Sequence, residues 1–185
     1  MPSWSGIARR IRVPVGFVFA AVYLWLARPT WSAIVIGAVI VAAGLWLRAL
    51  ASGHVKKDSE LTTTGPYAYT RNPLYLGSVI IAVGFLIASR NVWLVLGAAL
   101  IFLLLYLPVI GAEETSLRSR FPEFDQYAAG VRRFWPGFLI RPGFMMSKPE
   151  KFSRELYLQH REYNAALGAA AMIVALAAKL WWLAR

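Results

Sequence analysis

Apolar residues fill five stretches of the chain, 13–27, 31–47, 73–89, 91–112 and about 164 to 180, while polar residues gather in two segments between them, 48–72 and 113–163. A helix that crosses the hydrocarbon core needs ~20 mainly apolar residues, within a range of ~17–25. Each stretch therefore predicts a spanning helix. The first reaches that length if Ile11 and a snorkelling Arg12 are counted, and Lys179 lies close enough to the end of the last to reach the interface. Only Arg90 separates the third stretch from the fourth, so a tight antiparallel hairpin is expected near residues 89–92. After the fourth stretch, Leu117, Phe121, Phe124, Tyr127 and Val131 recur at spacings of four, three, three and four. That period predicts an amphipathic helix along the membrane surface or capping the bundle, interrupted or restarted at Pro122. The expected fold is an all-α polytopic membrane helix bundle with about five transmembrane helices and one amphipathic helical segment.

Composition agrees with this pattern. Of 185 residues, 58% are hydrophobic and 16% charged, whereas a soluble domain averages ~25% charged. Zero cysteines exclude a disulfide framework, a thiolate metal site and a cysteine nucleophile, and two histidines speak against a histidine-rich metal site, so no metal is expected. The net charge of +11 suggests nucleic acid at first sight, but eight Trp and the long apolar runs direct it to anionic lipid head groups instead, and no nucleic-acid partner is expected. Arg9, Arg10 and Arg12 before an apolar core resemble a secretory signal, yet the flank Ala27-Arg28-Pro29-Thr30 has no small-residue cleavage site, so a retained anchor is predicted. With five spans, one side of the membrane carries 16 Lys and Arg and the other only Arg28, Arg90, Lys179 and Arg185. The positive-inside rule then places the N-terminus and both polar segments, with any chemistry they hold, in the cytoplasm, and the C-terminus on the opposite side.

Two polar clusters flank the third and fourth spans. In the first, Gly65-Pro66 makes a turn and Asn72-Pro73 is a helix start, with Asn as N-cap and Pro at the first helical position. The N-terminus of a helix carries free N–H groups and partial positive charge; Arg71 beside it adds a cation, and the three together suit a carboxylate or phosphate. A plainer reading leaves Arg71 on lipid phosphate and Tyr67, Tyr69 and Tyr75 as interfacial aromatics. In the second cluster, Glu113 and Glu114 stand at the end of the fourth span, where the helix dipole already disfavours negative charge. Either Arg118 and Arg120 compensate them, or a cationic ligand does. Because a short turn joins the two spans, the basic and the acidic corner are expected side by side, a combination that fits an amphoteric ligand without selecting one.

The ordered residues Gly65-Pro66-Tyr67, Arg71-Asn72-Pro73, Tyr75 and Gly77, then a helical hairpin, Glu113-Glu114, and Leu117, Phe121, Tyr127, Val131, Arg133 and Pro136 resemble the integral-membrane isoprenylcysteine carboxyl methyltransferase family, a group related to phospholipid N-methyltransferases. The resemblance covers residues 53–136. It implies S-adenosyl-L-methionine as cofactor, held by Gly65, Pro66, Tyr67, Arg71, Asn72, Pro73, Tyr75, Leu76, Gly77, Glu113 and Glu114. It implies a lipophilic acceptor entering from the bilayer, most simply a carboxylate such as that of isoprenylcysteine, with a phospholipid or other lipid amine as the alternative; against this enzyme reading stands a second alternative, a non-catalytic lipid-binding membrane scaffold. On this reading residues 1–50 form a two-helix membrane scaffold and residues 51–185 the catalytic membrane domain. Arg71, Glu114 and Arg133 are the expected catalytic residues.

The expected chemistry is direct displacement at the sulfonium methyl, with positioning and exclusion of water supplying most of the rate, up to ~7–11 kcal/mol. Arg132 or Arg133 would hold a carboxylate acceptor; His54, Tyr75 or a glutamate would take the proton of an amine acceptor, and Tyr127 completes the acceptor contacts. Two positions depart from the family. Asn72 stands where many members have His, which removes a titrating imidazole, and Pro122 stands where Gly often follows the Phe, which predicts a helix restart.

Remaining features read as structure. Gly77 and Gly84 share a face of the third span, as do Ser78 and Ala82, and predict close helix packing, with Gly77 also leaving room for the adenosyl group. Trp4, Trp31, Trp93, Trp181 and Trp182 suit the interfacial belts. Met145-Met146 suit a flexible apolar lining, and the alternating charges of 148–161 a solvated face. A transporter ranks below these readings, since the middles of spans two to four hold no charge and no broken helix pair is evident.

Overall fold

The computed structural model describes residues 3–56, 60–134 and 151–183, and all regular structure among them is helical. Helix α1 is Trp4–Leu26, α2 Trp31–Ser52, α3 Pro73–Ser89, α4 Val92–Ile101, α5 Leu107–Arg120, α6 Phe124–Gly130, α7 Arg154–Gln159 and α8 Tyr163–Leu183. A short 3-10 turn, Gly65–Ala68, precedes α3, and a π-helical segment, Phe102–Tyr106, joins α4 to α5 without a break. The fold is an all-α membrane helix bundle. Among the described residues three helices are long and apolar enough to cross a membrane: Trp31–Ser52, the continuous Val92–Arg120 and Tyr163–Leu183. The third predicted span is apolar but only 17 residues long, and the first is a 23-residue helix whose initial half carries Arg9, Arg10 and Arg12. All five expected stretches are helical. Pro136, Met145-Met146 and the beginning of the 148–161 stretch lie outside the described residues.

The chain divides into two compact units, one of Met1–Val39, Ala82–Ser116 and Ala171–Arg185, the other of Ile40–Ile81 and Leu117–Ala170. In the first, Tyr23, Ala27, Ile34, Ala88, Leu94 and Leu176 form the buried core. Tyr23 donates its hydroxyl to the carbonyl of Phe85 at 2.6 Å. The turn between α3 and α4 is as tight as expected. Arg90 takes up a left-handed φ of 50°, and Asn91 caps α4 by accepting from the Trp93 N–H at 2.9 Å. The same Asn91 donates to the Leu26 carbonyl at 3.0 Å, so one side chain closes the end of α1 and opens α4. Lys179 reaches the end of α1 as well, donating to the carbonyls of Leu24, Trp25 and Ala27 at 2.6, 2.8 and 2.7 Å. These carbonyls lack helical donors, and a cation at a helix C-terminus also suits its dipole.

The π-helical segment has a local cause. Pro108 lacks the N–H that would bond the carbonyl of Leu104, and its ring crowds that carbonyl. The ladder widens accordingly, with the Leu107 N–H bonding Phe102, and the Trp4 indole N–H of α1 donates to Leu104 at 3.0 Å. Trp4→Phe keeps the aromatic surface and removes that donor. We expect it to cost about 1 kcal/mol, a fall of roughly 2–4 °C in the unfolding midpoint of the solubilised protein; an unaltered midpoint would show that the indole contributes area alone.

In the second unit the predicted apolar period becomes a real cluster. Phe124, Tyr127 and Val131 are buried against Leu61, Leu117, Phe121 and Ala128. The restart at Pro122 is present: α5 ends at Arg120 and α6 begins at Phe124, with the Phe124 N–H bonding Phe121 across the break at 3.0 Å. Gly44 of α2 lies against Gly77 of α3. A Cβ on Gly44 would stand 2.7 Å from the Gly77 carbonyl oxygen, and one on Gly77 would stand 2.9 Å from the Gly44 carbonyl oxygen. In the first unit Gly37 meets Gly84 in the same manner, at 2.5 Å. Glycine is required at both crossings because backbone packs on backbone, the arrangement small residues permit between membrane helices.

Candidate functional site

The start of α3 lies in the second unit and is built almost entirely by main-chain contacts. Gly65 has a φ of +58°, which an L side chain disfavours, and turns the chain into Pro66 and Tyr67. Tyr127, buried in α6, donates its hydroxyl to the Tyr67 carbonyl at 2.7 Å and thereby ties the 3-10 turn to the apolar cluster. Three bonds then fasten residues 70–72 to the segment after α6. The Arg71 N–H donates to the Arg132 carbonyl at 2.9 Å. Buried Thr70 donates its hydroxyl to the Arg133 carbonyl at 3.1 Å, and the Asn72 side-chain amide donates to the same oxygen at 3.3 Å. Helix geometry begins immediately after, with the Leu76 N–H bonding the Asn72 carbonyl at 2.9 Å. The first N–H groups of an α-helix have no partner further along its own ladder, and here the helix start that carries them is held from outside by the segment after α6.

The structure brings Arg71, Asn72, Arg132 and Arg133 together. Arg132 and Arg133 contribute their carbonyls to the helix start, and both are exposed residues. Tyr75 and Leu76 are half-buried on the first turn. Gly77 is turned towards α2: a Cβ there would meet Arg48 Cγ at 2.6 Å, so the face it opens is filled by that helix.

His54 supports the turn from below. Its Nδ1 lies 2.8 Å from the Leu50 carbonyl, its ring meets Phe152 edge-on at 6.4 Å, and it fills the space where a Gly65 side chain would go. With 9% exposure it is a prop for Gly65 within this unit. Sequence reasoning missed Thr70, although a signal was there: a Thr two residues before Asn-Pro can bond the Asn N–H, as it does at 3.4 Å.

Glu113 and Glu114 belong to the first unit, on α5, where Glu114 is buried at 7% exposure. Arg118, one of the two cations weighed as their compensation, pairs with Asp125 at 2.7 Å and lies over the Phe124 ring at 5.5 Å.

Residues 32–123 match the family model described as phospholipid methyltransferase, a span that takes in the Arg71 cluster and both glutamates. Among curated proteins the chain is 35% identical over 113 residues to the nickel-cobalt-cadmium resistance protein NccN of Alcaligenes xylosoxydans xylosoxydans, covering 60% of this chain and 52% of that one. It is also 35% identical over 143 residues to the cobalt-zinc-cadmium resistance protein CzcN of Cupriavidus metallidurans, covering 71% of this chain and 64% of that one. The chain thus spans between half and two thirds of the length of these relatives. No solved structure matches it.

Proposed function

We propose that the chain transfers the methyl group of S-adenosyl-L-methionine to a lipophilic acceptor in the membrane. The observation that carries this reading is that one family match includes both polar clusters, and that the first of them is a helix start held in place by Thr70 and Asn72. The fit to the cofactor is chemical. First-turn N–H groups and Arg71 suit its carboxylate, while Glu113 and Glu114 suit its ammonium and sulfonium. When bound, the cofactor supplies a methyl group activated by the adjoining sulfonium. The protein's part is to orient and to exclude water: Arg71 fixes the carboxylate end, Asn72 and Thr70 hold the helix start still, and Arg132 or Arg133 orients an anionic group on the acceptor. By the distribution of Lys and Arg, this face lies on the cytoplasmic side.

The acceptor reading has two branches. A carboxylate such as that of isoprenylcysteine needs only a cation to hold it. A phospholipid amine is favoured by the description of the matching family. Both relatives are named for resistance to nickel, cobalt, zinc or cadmium, and we extend the reading to that setting. Esterification of a carboxylate removes an anionic oxygen donor for such cations, and complete methylation of a head-group amine to a quaternary ammonium removes its nitrogen lone pair.

Incubating the purified protein with methyl-labelled cofactor and a total lipid extract should label the lipid fraction. Mild alkali then separates the branches, because an ester releases the label as methanol and an N-methyl group retains it. A lipid fraction without label, from protein that is folded by its unfolding transition, overturns the proposal.

A further inference from the structure

Behind the first turn of α3 lies a polar network that the proposed chemistry does not use. Arg48, near the end of α2, donates from Nε and Nη2 to Glu162, with Nε to Oε2 at 3.0 Å and Nη2 to Oε1 and Oε2 both at 2.8 Å. Its Nη1 donates to the Leu74 carbonyl at 3.2 Å and to the Ser78 hydroxyl. Ser78 in turn donates to the Leu74 carbonyl at 2.9 Å. A guanidinium has five N–H donors in a fixed fork, and this one divides them between a carboxylate and the start of α3. The pair is largely shielded, with side-chain exposures of 21% and 12%. Every member of the network lies in the second unit.

We infer that Arg48 is a positioning residue for the helix start at Asn72-Pro73, acting through the Leu74 peptide; the inference rests on the methyl-transfer reading of that helix start. The Leu74 carbonyl and the N–H that follows it are two ends of one peptide group. A cation on the oxygen polarises the group and strengthens the hydrogen bonding of the helix start. The fork also fixes the rotation of α3 about its axis, so the first-turn N–H groups keep their aim. The close approach of Gly44 and Gly77 makes this reach possible, since Arg48 follows Gly44 by one turn and Leu74 precedes Gly77 by nearly one. Glu162 neutralises Arg48 and holds its plane. Lysine cannot replace it, because a single ammonium cannot span the carboxylate and the Leu74–Ser78 pair together.

The test uses the full chain in detergent with S-adenosyl-L-methionine as the titrant. Arg48→Lys and Ser78→Ala should keep the unfolding midpoint near that of the unaltered protein. Arg48→Lys should weaken cofactor affinity about tenfold, the equivalent of one charge-assisted hydrogen bond. In turnover the KM for the cofactor should rise more than kcat falls. The double variant Arg48→Glu with Glu162→Arg should recover stability but not KM, since a glutamate at position 48 cannot donate to Leu74. Amide exchange over residues 74–78 should quicken in Arg48→Lys. Full recovery of KM in the double variant, or unchanged exchange and affinity in Arg48→Lys, overturns the inference. If the unaltered protein binds no cofactor, the methyl-transfer reading fails instead, and the exchange measurement still decides whether Arg48 orders the helix start.

Discussion

Gly44→Leu and Gly77→Leu should each abolish the cooperative unfolding transition of the solubilised protein, and the alanine variants should lower its stability by about 1–3 kcal/mol. The reason is the identity of the atoms in the way. A Cβ at position 44 would meet the Gly77 carbonyl oxygen and Ile81 Cγ1 at 2.7 Å and the Ile81 main-chain nitrogen at 2.9 Å. Two of these are backbone and cannot swing aside as a flexible side chain would. Between membrane helices no hydrophobic term rewards a wider spacing, because lipid tails are as apolar as the side chains, so lost van der Waals contact is not recovered elsewhere. The effect should extend to the helix start. A side chain at 77 would displace Arg48, whose Cγ is 2.6 Å from the Cβ position, and with it the donors on Leu74. Thermal unfolding followed by circular dichroism checks the first part; a Gly77→Ala protein as stable as its parent would refute the crossing.

Arg71→Ala should weaken S-adenosyl-L-methionine binding about 10- to 100-fold, the loss of a charge-assisted pair worth roughly 1.5–3 kcal/mol. The fold should survive, because Arg71 holds the segment after α6 through its main-chain N–H, which donates to the Arg132 carbonyl at 2.9 Å in any variant that is not proline. Thr70→Val is the informative contrast. It removes a buried side-chain bond to the Arg133 carbonyl, so it should reduce stability and affinity together. Arg71→Lys should fall between Ala and the parent, keeping charge without the fork. Glu114→Ala should weaken cofactor binding by a similar factor. Calorimetric titration separates these cases, and parental affinity in both Arg71→Ala and Glu114→Ala would show that the cofactor residues have been misassigned.

The helices were legible because their signal is local. An apolar run of sufficient length has few alternatives in a bilayer, where each backbone group needs an internal partner, and all five runs are helical. The turn at Arg90 and the restart at Pro122 were legible for the same reason, each being written in two or three adjacent residues. The helix start at Asn72-Pro73 was also readable. Less readable was the second use of the Asn72 side chain, whose amide donates across to the Arg133 carbonyl. His54 and Tyr127, read as acceptor contacts, are engaged with Leu50, Gly65 and Tyr67 in the structure. Pro108 carried the signal of the π-helical segment, since proline inside an apolar run must disturb the ladder, but the indole that meets Leu104 is 100 residues away.

The glycines of α3 announced a close crossing, yet nothing in their spacing named Gly37 and Gly44 as the surfaces they meet. Likewise the charge of Arg48 was visible at the edge of a polar segment, while its partner Glu162 stands 114 residues on. Length, apolarity and cap chemistry sufficed for the class of protein, the helices and the helix start, because each depends on a few neighbouring residues and on the solvent around them. Only the tertiary structure decided which backbone lies against which, and hence where the fork of Arg48 and the carbonyls of Arg132 and Arg133 fall. Those choices follow from helix rotation and crossing, which the period of a uniformly apolar helix leaves undetermined.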